Sequence, residues 1–196
     1  MRMALPFSFL LSIFIILIIS ISYGEAKKIN NSSPKDFLQT SCAHASYPNI
    51  CIRTLSSYAG PANNPRDLAQ AAVKVSLGRA RKASDYLRQL QSRSKREQGA
   101  LHDCMEQIGD SVDELSKTLS ELQHLRSGSD FKWQMSNAQT WVSAALTNED
   151  TCLDGFKEID GKIRSDVNRK VTNVARVTSN ALYLINRLEE SRSRSP

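Results

Sequence analysis

The fold is decided by residues 97–156, which read EQGALHDCMEQIGDSVDELSKTLSELQHLRSGSDFKWQMSNAQTWVSAALTNEDTCLDGF. The first half of this stretch carries apolar residues at alternating spacings of four and three. They are Leu101, Met105, Ile108, Val112, Leu115, Leu119 and Leu122. This spacing keeps the side chains on one narrow stripe of an α-helix. We therefore expect a long helix that buries this stripe.

A turn and a second helix follow. Residues 126–130 (RSGSD) are turn formers that interrupt the apolar pattern. The pattern resumes at Phe131, Met135, Ala138, Val142, Ala145, Cys152 and Phe156. Cys104 precedes Gly128 by 24 positions and Cys152 follows it by 24, so the two cysteines face each other in an antiparallel hairpin. At about 1.5 Å per residue they lie roughly 36 Å from the turn, where a disulfide would tie the open end.

Two further helices complete the pattern. The first begins near Pro65, with Asn64 as its N-cap. Its stripe consists of Ala69, Val73, Leu77, Ala80, Leu87 and Leu90. The last helix covers about residues 163–188, and its stripe consists of Val167, Val171, Val174, Thr178, Ala181, Ile185 and Leu188. The sequence therefore predicts an all-α fold, an antiparallel up-down-up-down four-helix bundle over residues 65–190, followed by a polar tail at 191–196.

The first 24 residues are typical of a signal peptide. Arg2 supplies a positive charge, an apolar run follows at 10–21, and the small residues Ser22 and Gly24 stand at the two positions that a signal peptidase reads. A membrane anchor is the alternative, but a run of about a dozen residues is shorter than the roughly 20 that span a bilayer. We expect cleavage after this segment, a secreted mature chain with no membrane association, and a flexible segment at 25–33.

Secretion bears on two further features of the sequence. Asn30 and Asn31 begin overlapping N-x-S sites, so either asparagine is a candidate for glycosylation. Four cysteines in a secreted chain predict two disulfides, with three possible pairings. The pairing of sequence neighbours, Cys42–Cys51 with Cys104–Cys152, is the one that agrees with the hairpin geometry.

A short N-terminal hairpin is expected before the bundle, over residues 34–57. Two helical pieces flank residues 46–49, and Pro48 suits the first position of the second piece. So small a hairpin has little apolar surface, which makes a local Cys42–Cys51 cross-link physically reasonable. Residues 57–65 are rich in Gly, Pro and Asn and are expected to link the hairpin to the bundle.

The chain is basic, with a formal net charge of +6. The cations concentrate on the expected first bundle helix and just beyond it: Arg66, Lys74, Arg79, Arg81, Lys82, Arg88, Arg93, Lys95 and Arg96. Two interpretations are open, a binding surface for an acidic polymer and a solvated helix face with a basic bias, and the second is preferred. The pattern lacks the repeated aromatic residues that favour nucleic-acid binding, so no nucleic-acid partner is expected.

No catalytic or metal-binding constellation is evident in the sequence. The histidines share no ligand spacing; they are His44, His102 and His124. Phosphate-loop, GxSxG and HExxH motifs are absent. Adjacent acids, such as Asp113-Glu114 and Glu149-Asp150, are interpreted as exposed helix faces. We therefore expect no enzyme activity, no metal and no cofactor, and a function in binding a partner through the outer helix faces.

Four runs of residues resemble a known protein family. They are CAHASYPNIC (42–51), ALHDC (100–104), TWVSAALTNEDTCLDGF (140–156) and VTSNAL (177–182). The chain is thereby similar to the plant invertase and pectin methylesterase inhibitor family over its whole mature length. The resemblance implies a four-helix bundle preceded by a short helical hairpin. It also implies one disulfide within the hairpin and one between bundle helices two and three.

The family has two branches with different targets. Invertase inhibitors carry a Pro-Lys-Phe motif at the start of the third bundle helix, whereas this chain has SDFKW at 129–133. This departure, with SAALTNEDTC at 143–152, implies a pectin methylesterase inhibitor. Inhibition of a cell-wall or vacuolar acid invertase is the alternative. A small lipid-carrying helical protein is a third reading, which core stripes that alternate small and large residues disfavour.

The resemblance implies a monomer in the apoplast or cell wall that forms a 1:1 complex with the esterase. Bundle helices two, three and four would cover the substrate cleft of the enzyme. The candidate contacts are polar positions off the core stripes: Asp110, Asp113, Gln134, Asn137, Thr147, Asn148 and Asp150. Protonation of contact carboxylates at mildly acidic pH is expected to strengthen the complex. The basic first bundle helix, through Arg79, Arg81 and Lys82, could also hold the protein to anionic pectin.

Overall fold

The computed structural model describes residues 33–57 and 62–193 of the chain. In these ranges it has six α-helices: α1 (Pro34–Cys42), α2 (Pro48–Ser56), α3 (Pro65–Leu87), α4 (Lys95–Gln123), α5 (Ser129–Asp154) and α6 (Lys162–Ser193). The expected signal peptide, the glycosylation candidates Asn30 and Asn31, and the last three residues of the expected tail lie outside the described residues. The compact unit that contains all six helices begins at Ser33.

Helices α3 to α6 form the expected bundle. Helix α3 packs against α4 and α6, and α5 packs against the same two neighbours, so α3 and α5 lie diagonally across the bundle. Each helix buries one stripe of side chains in a shared core. The prediction of an all-α, up-down-up-down four-helix bundle with a preceding hairpin is confirmed.

The α4–α5 hairpin turns at Gly128. This glycine has φ = 76°, a left-handed conformation that costs other residues energy and glycine little. Far from the turn, Cys104 and Cys152 form a disulfide with their Cα atoms 4.4 Å apart. The spacing of the two cysteines about the turn therefore led to the right pairing.

The N-terminal hairpin is fastened to α6. Cys42 and Cys51 form a disulfide that joins α1 to α2. The Asn180 side chain accepts a hydrogen bond from the Tyr47 backbone N–H at 2.9 Å and donates one to the Tyr47 carbonyl at 3.0 Å. Because one side chain satisfies both backbone groups of a residue between two helices, Asn180 fixes the position of the hairpin.

The buried seam of α4 differs from the expected stripe. Met105, Val112 and Leu119 are only half-buried. Their places in the core are taken by residues that the apolar pattern skipped, which are Cys104, Ser111 and Thr118. The helix is therefore rotated slightly from the orientation that apolar periodicity predicted. Cys104 and Ser111 find partners on α5, in the disulfide with Cys152 and the hydrogen bond to Glu149, and Thr118 donates to the Glu114 carbonyl of α4 itself.

The connection between α3 and α4 also differs from the expectation. Helix α3 ends at Leu87, so Leu90 and the cations Arg88 and Arg93 lie in the connection, and Lys95 and Arg96 begin α4. The Ser94 side chain accepts a hydrogen bond from the Glu97 backbone N–H at 3.2 Å and so caps α4. A Ser-x-x-Glu start signal was present in the sequence and was overlooked.

Arg66 is occupied by the fold and does not belong to a free basic face. It donates to the backbone carbonyls of Leu122 and Gln123 at the end of α4, at 3.0 and 2.8 Å. Gln70 donates to the Leu122 carbonyl as well, at 2.9 Å. These carbonyls have no partner within their own helix, so the start of α3 stabilises the end of α4.

Helix α6 continues to Ser193, beyond the expected end near Leu188 and into the expected tail. Among the described helices, none combines the length and the apolarity that crossing a membrane requires.

Candidate functional site

The outer face of α5 carries a continuous row of small hydroxyl side chains. We name it the hydroxyl face, and it consists of Ser136, Thr140, Ser143, Thr147 and Thr151. All five residues are exposed and follow one another at helical spacings of three or four. No lysine, arginine or glutamate interrupts the row, so a partner can approach the helix closely.

Three threonines of the hydroxyl face are hydrogen-bonded within the helix. Thr140 donates to the carbonyl of Ser136, Thr147 to that of Ser143, and Thr151 to that of Thr147, at 2.8, 3.1 and 2.8 Å. Covering a hydroxyl that keeps its bond loses less free energy than covering a group that must give up water without replacement. The face is therefore suited to burial in a complex.

Trp133 lies near the start of α5, beside the row of hydroxyls, and 71% of its surface is exposed. A large aromatic side chain in water is unfavourable, and aromatic residues commonly anchor protein interfaces. Trp133 therefore marks one end of a candidate contact surface on α5.

The neighbouring helix α4 presents a row of acids. We name it the acidic ridge; it consists of Asp103, Glu106, Asp110 and Asp113, all exposed. Burial raises the pKa of Glu114, which lies beside the ridge, and the charge of Asp110 raises it further. The ridge thus places several carboxylates near a carboxyl that holds its proton more strongly than usual.

The seven contact residues proposed from the sequence fall into two groups. Asp110, Asp113, Thr147 and Asp150 are exposed, the first two on the acidic ridge and the last two on the outer side of α5. Gln134, Asn137 and Asn148 are half-buried.

Three proposed contact residues hold α4 and α5 together. Asn148 donates to Glu114 Oε2 at 3.0 Å, and Asn137 donates to Glu121 Oε1 at 3.2 Å. Gln134 joins the turn by accepting from the Arg126 backbone N–H at 2.8 Å and donating to the His124 carbonyl at 2.9 Å. These side chains position the candidate surface, and their polar atoms are already engaged.

Glu149 corrects the expectation that the Glu149-Asp150 pair is an exposed helix face. It is fully buried in the bundle, and its Oε1 accepts hydrogen bonds from the hydroxyls of Ser111 on α4 and Thr178 on α6, at 2.7 and 3.0 Å. Burial raises the pKa of Glu149 to about 8. The carboxyl is therefore protonated under mildly acidic conditions, and it joins three helices in the core.

The cations of α3 do not form a single face. Arg79 and Lys82 point to a surface shared with α2 and α6. Arg81 lies on the other side, in a groove between α3 and α4 that is also lined by Asp110 and Asp113. The three cations that the sequence grouped together are therefore divided by the fold.

The chain is similar to proteins of a known family. A family model described as "Plant invertase/pectin methylesterase inhibitor" matches residues 36–184, from α1 to α6. The chain belongs to this family. Its resemblance at the level of sequence motifs is thereby confirmed, and the matched range contains both disulfides and the whole outer face of α5.

Members of the inhibitor family from Arabidopsis thaliana are similar to the chain along most of its length. Pectinesterase inhibitor 3 is 56% identical over 173 residues, which is 84% of this chain and 84% of that protein. Pectinesterase inhibitor 9 is 43% identical over 195 residues, 93% of this chain and 96% of that protein. Both relatives are named as inhibitors of an enzyme.

A solved structure supports the fold. The crystal structure of a mutant form of a pectin methylesterase inhibitor from Arabidopsis superposes with a TM-score of 0.64 at 22% identity. It covers 79% of this chain and 97% of that one. At this identity the likeness extends to the helical architecture alone.

The hydroxyl face and Trp133 were missed as a surface by sequence reasoning. Their signal was present, because serine and threonine recur at spacings of four and three from Ser136 to Thr151. Apolar periodicity reports only the buried side of a helix and does not register a polar residue type that recurs on the opposite side. Within residues 33–57 and 62–193, no group of three or more His, Cys, Asp or Glu side chains could hold a metal ion.

Proposed function

We propose that the chain is a secreted inhibitor of pectin methylesterase that acts in the cell wall. The observation that carries this proposal is 56% identity, over most of both chains, to a protein named pectinesterase inhibitor 3. The relatives reported above are named for esterase inhibition, which supports the esterase over an acid invertase as the target. Trp133 and the hydroxyl face provide a surface for the interaction.

The proposed mechanism is steric. A monomer binds one esterase molecule and lays the hydroxyl face of α5 and the acidic ridge of α4 over the substrate cleft, so that pectin is excluded. The Cys104–Cys152 disulfide ties α4 to α5, and Asn148 and Asn137 bridge the two helices. Because the surface is already ordered, little conformational entropy is lost on binding. The contact residues proposed are Trp133, Thr147, Asp150, Asp110 and Asp113.

The acidic ridge supports a pH dependence of the complex. Asp110 and Asp113 are exposed acids beside Glu114, whose pKa is raised by burial. Lys117 and Asn148 act on the same carboxyl in the opposite direction. If a partner covers Glu114, burial favours its neutral form further, and binding takes up a proton. The complex is then tighter at lower pH.

In the first experiment, a plant pectin methylesterase is titrated at mildly acidic pH with the oxidised mature protein, whose first residue is Glu25. An acid invertase is titrated in parallel. The expected result is a stoichiometric loss of esterase activity with the invertase unaffected. Loss of invertase activity alone would assign the chain to the other branch of the family, and no effect on either enzyme would contradict the proposal.

A second experiment tests the surface. Thr147→Arg places a long charged side chain in the centre of the hydroxyl face and is expected to weaken inhibition about 100-fold, equivalent to about 2.7 kcal/mol. Thr40→Arg makes the same change on an exposed position of α1 and is expected to leave inhibition unchanged. Equal inhibition by the two variants would exclude the outer face of α5 as the contact.

A further inference from the structure

Two adjoining depressions cross the surface where α2, α3 and α6 meet, and they share Arg79 and Lys82 of α3. The first, of about 290 Å³, is also lined by Arg169 and Lys170 of α6. The second, of about 460 Å³, is also lined by Arg53 of α2. We name these five residues the cation cleft. Neither depression is lined by an aspartate or a glutamate.

Most cations of the cleft have no acidic partner. Of the five cleft cations, Arg169 alone forms an ion pair within the part of the chain that the structure describes, with Asp166 at 2.8 Å. Arg79 donates to the neutral side chain of Asn173, and the Lys170 Nζ lies 4.6 Å from the centre of the Tyr86 ring. Neutral partners orient these two cations without cancelling their charge.

Like charges in this cleft oppose one another. Arg79 is half-buried, and burial lowers the pKa of its guanidinium, with a further contribution from the charge of Arg53. Holding cations together where solvent is partly excluded is unfavourable unless an anion offsets their repulsion. On the other side of α3, the groove that holds Arg81 contains its own acids. Acids therefore line the groove on that side of α3, whereas none lines the two depressions of the cleft.

We propose that the cation cleft binds a run of uronate carboxylates on a de-esterified pectin chain. Hydrolysis of a pectin methyl ester leaves a carboxylate on the polymer, so this anion is the product of the proposed target enzyme. Guanidinium groups pair with carboxylates through two parallel hydrogen bonds. Two connected depressions with cations on both walls suit a linear chain with repeated charges.

The position of the cleft allows both sites to act together. The cleft lies along α3, and α3 is diagonal to α5, which carries the hydroxyl face. An inhibitor bound to an esterase through α5 would therefore still present the cleft to the polymer. The inference rests on the proposed location in the cell wall. It assigns the binding of anionic pectin to the five residues of the cation cleft, whereas the sequence pointed to the first bundle helix as a whole.

The test measures binding of the full mature protein to polygalacturonate by co-sedimentation, without esterase, so that failure leaves the proposed inhibition untouched. The cleft variant is Arg53→Gln with Arg79→Gln and Lys82→Gln. The control variant, Arg81→Gln with Lys95→Gln and Lys132→Gln, removes the same charge from exposed positions elsewhere. Unfolding by urea is measured for both variants, and Arg79→Lys is included as a change that keeps the charge.

The expected result is binding of the unchanged protein to polygalacturonate and little binding to highly methylesterified pectin. The cleft variant is expected to lose affinity about tenfold or more, the control variant about threefold or less, and Arg79→Lys less than the cleft variant. Equal losses in the cleft and control variants would mean that net charge alone drives binding, which overturns the proposal. Equally tight binding to polyglutamate would overturn the assignment to a uronate chain.

Discussion

Glu149 and Asp150 are adjacent acids on α5, and the fold treats them in opposite ways. Glu149 has no exposed surface and accepts bonds from hydroxyls of two other helices, whereas Asp150 is exposed beside the hydroxyl face. An α-helix turns by about 100° per residue, so neighbours in sequence point to different sides. The inner side of α5 therefore governs stability, and its outer side is available for binding.

The largest expected effect is on the pH dependence of stability. Because the pKa of Glu149 is higher in the folded protein than in the unfolded chain, protonation of this carboxyl favours folding. Its contribution to the unfolding free energy is fully present below pH 4.5 and is lost as the pH rises to about 8. The loss is on the order of 3–5 kcal/mol of unfolding free energy, since one pKa unit corresponds to about 1.4 kcal/mol. Glu149→Gln has no proton to lose and is expected to show a flatter profile. Urea unfolding across this pH range measures both, and parallel profiles would contradict the assignment.

The next prediction compares a buried hydroxyl on α4 with an exposed hydroxyl on α5. Ser111→Ala removes a donor to the buried Glu149 and is expected to lower the unfolding free energy by about 1–3 kcal/mol. Thr147→Ala removes an exposed hydroxyl and is expected to cost about 0.5 kcal/mol or less. Urea unfolding at one mildly acidic pH compares the variants. Similar losses of unfolding free energy in the two variants would mean that the buried hydroxyl contributes no more to stability than the exposed one.

Substitution of Trp133 tests whether the outer face of α5 takes part in binding the esterase. Trp133→Ala is expected to weaken esterase inhibition about tenfold, equivalent to about 1.4 kcal/mol, because an exposed aromatic side chain gains most from being covered by a partner. Trp133→Phe keeps a ring at this position and should retain most of the inhibition. Inhibition titrations measure both, and unfolding free energies close to that of the unchanged protein show that the fold is intact. Full inhibition by the alanine variant would place Trp133 outside the contact.

The smallest effect connects the two neighbouring acids. The charge of Asp150 raises the pKa of Glu149, although it contributes less than burial does. Asp150→Asn is therefore expected to move the pH range of stability loss slightly toward lower pH, with little change in stability at acidic pH. The same urea series detects the shift. A shift toward higher pH would contradict the electrostatic coupling between the residues.

The apolar periodicity predicted the presence of the helices better than it predicted which side chains of α4 are buried. Leu101, Ile108, Leu115 and Leu122 were assigned to the core and are buried. Ser111 and Thr118 were not assigned to it, because a periodicity of apolar residues cannot register polar ones. Their burial depends on where they face in the assembled bundle, which no local pattern in α4 contains.

For the cations of α3, too, the sequence predicted which residues are present and the fold determined their surroundings. Composition identified an excess of cations around α3, and the order of residues placed Arg79, Arg81 and Lys82 within one helical turn. The packing of α2 and α6 on one side and of α4 on the other separates them. Arg79 and Lys82 line depressions that have no acidic side chain in their lining, whereas Arg81 lines a groove that has several.

The helical class, the turn around Gly128, the pairing of Cys104 with Cys152 and the family could all be predicted without the structure, because each depends on spacing along the chain or on local motifs. The packing of the helices places Glu149 in the core and Asp150 at the surface. It also gives the predicted contact residues Gln134, Asn137 and Asn148 hydrogen-bond partners on α4 or in the α4–α5 turn. The physical reason is that the free energy of a polar group depends on its partners, and for Glu149 these partners lie on α4 and α6, 38 and 29 residues away along the chain.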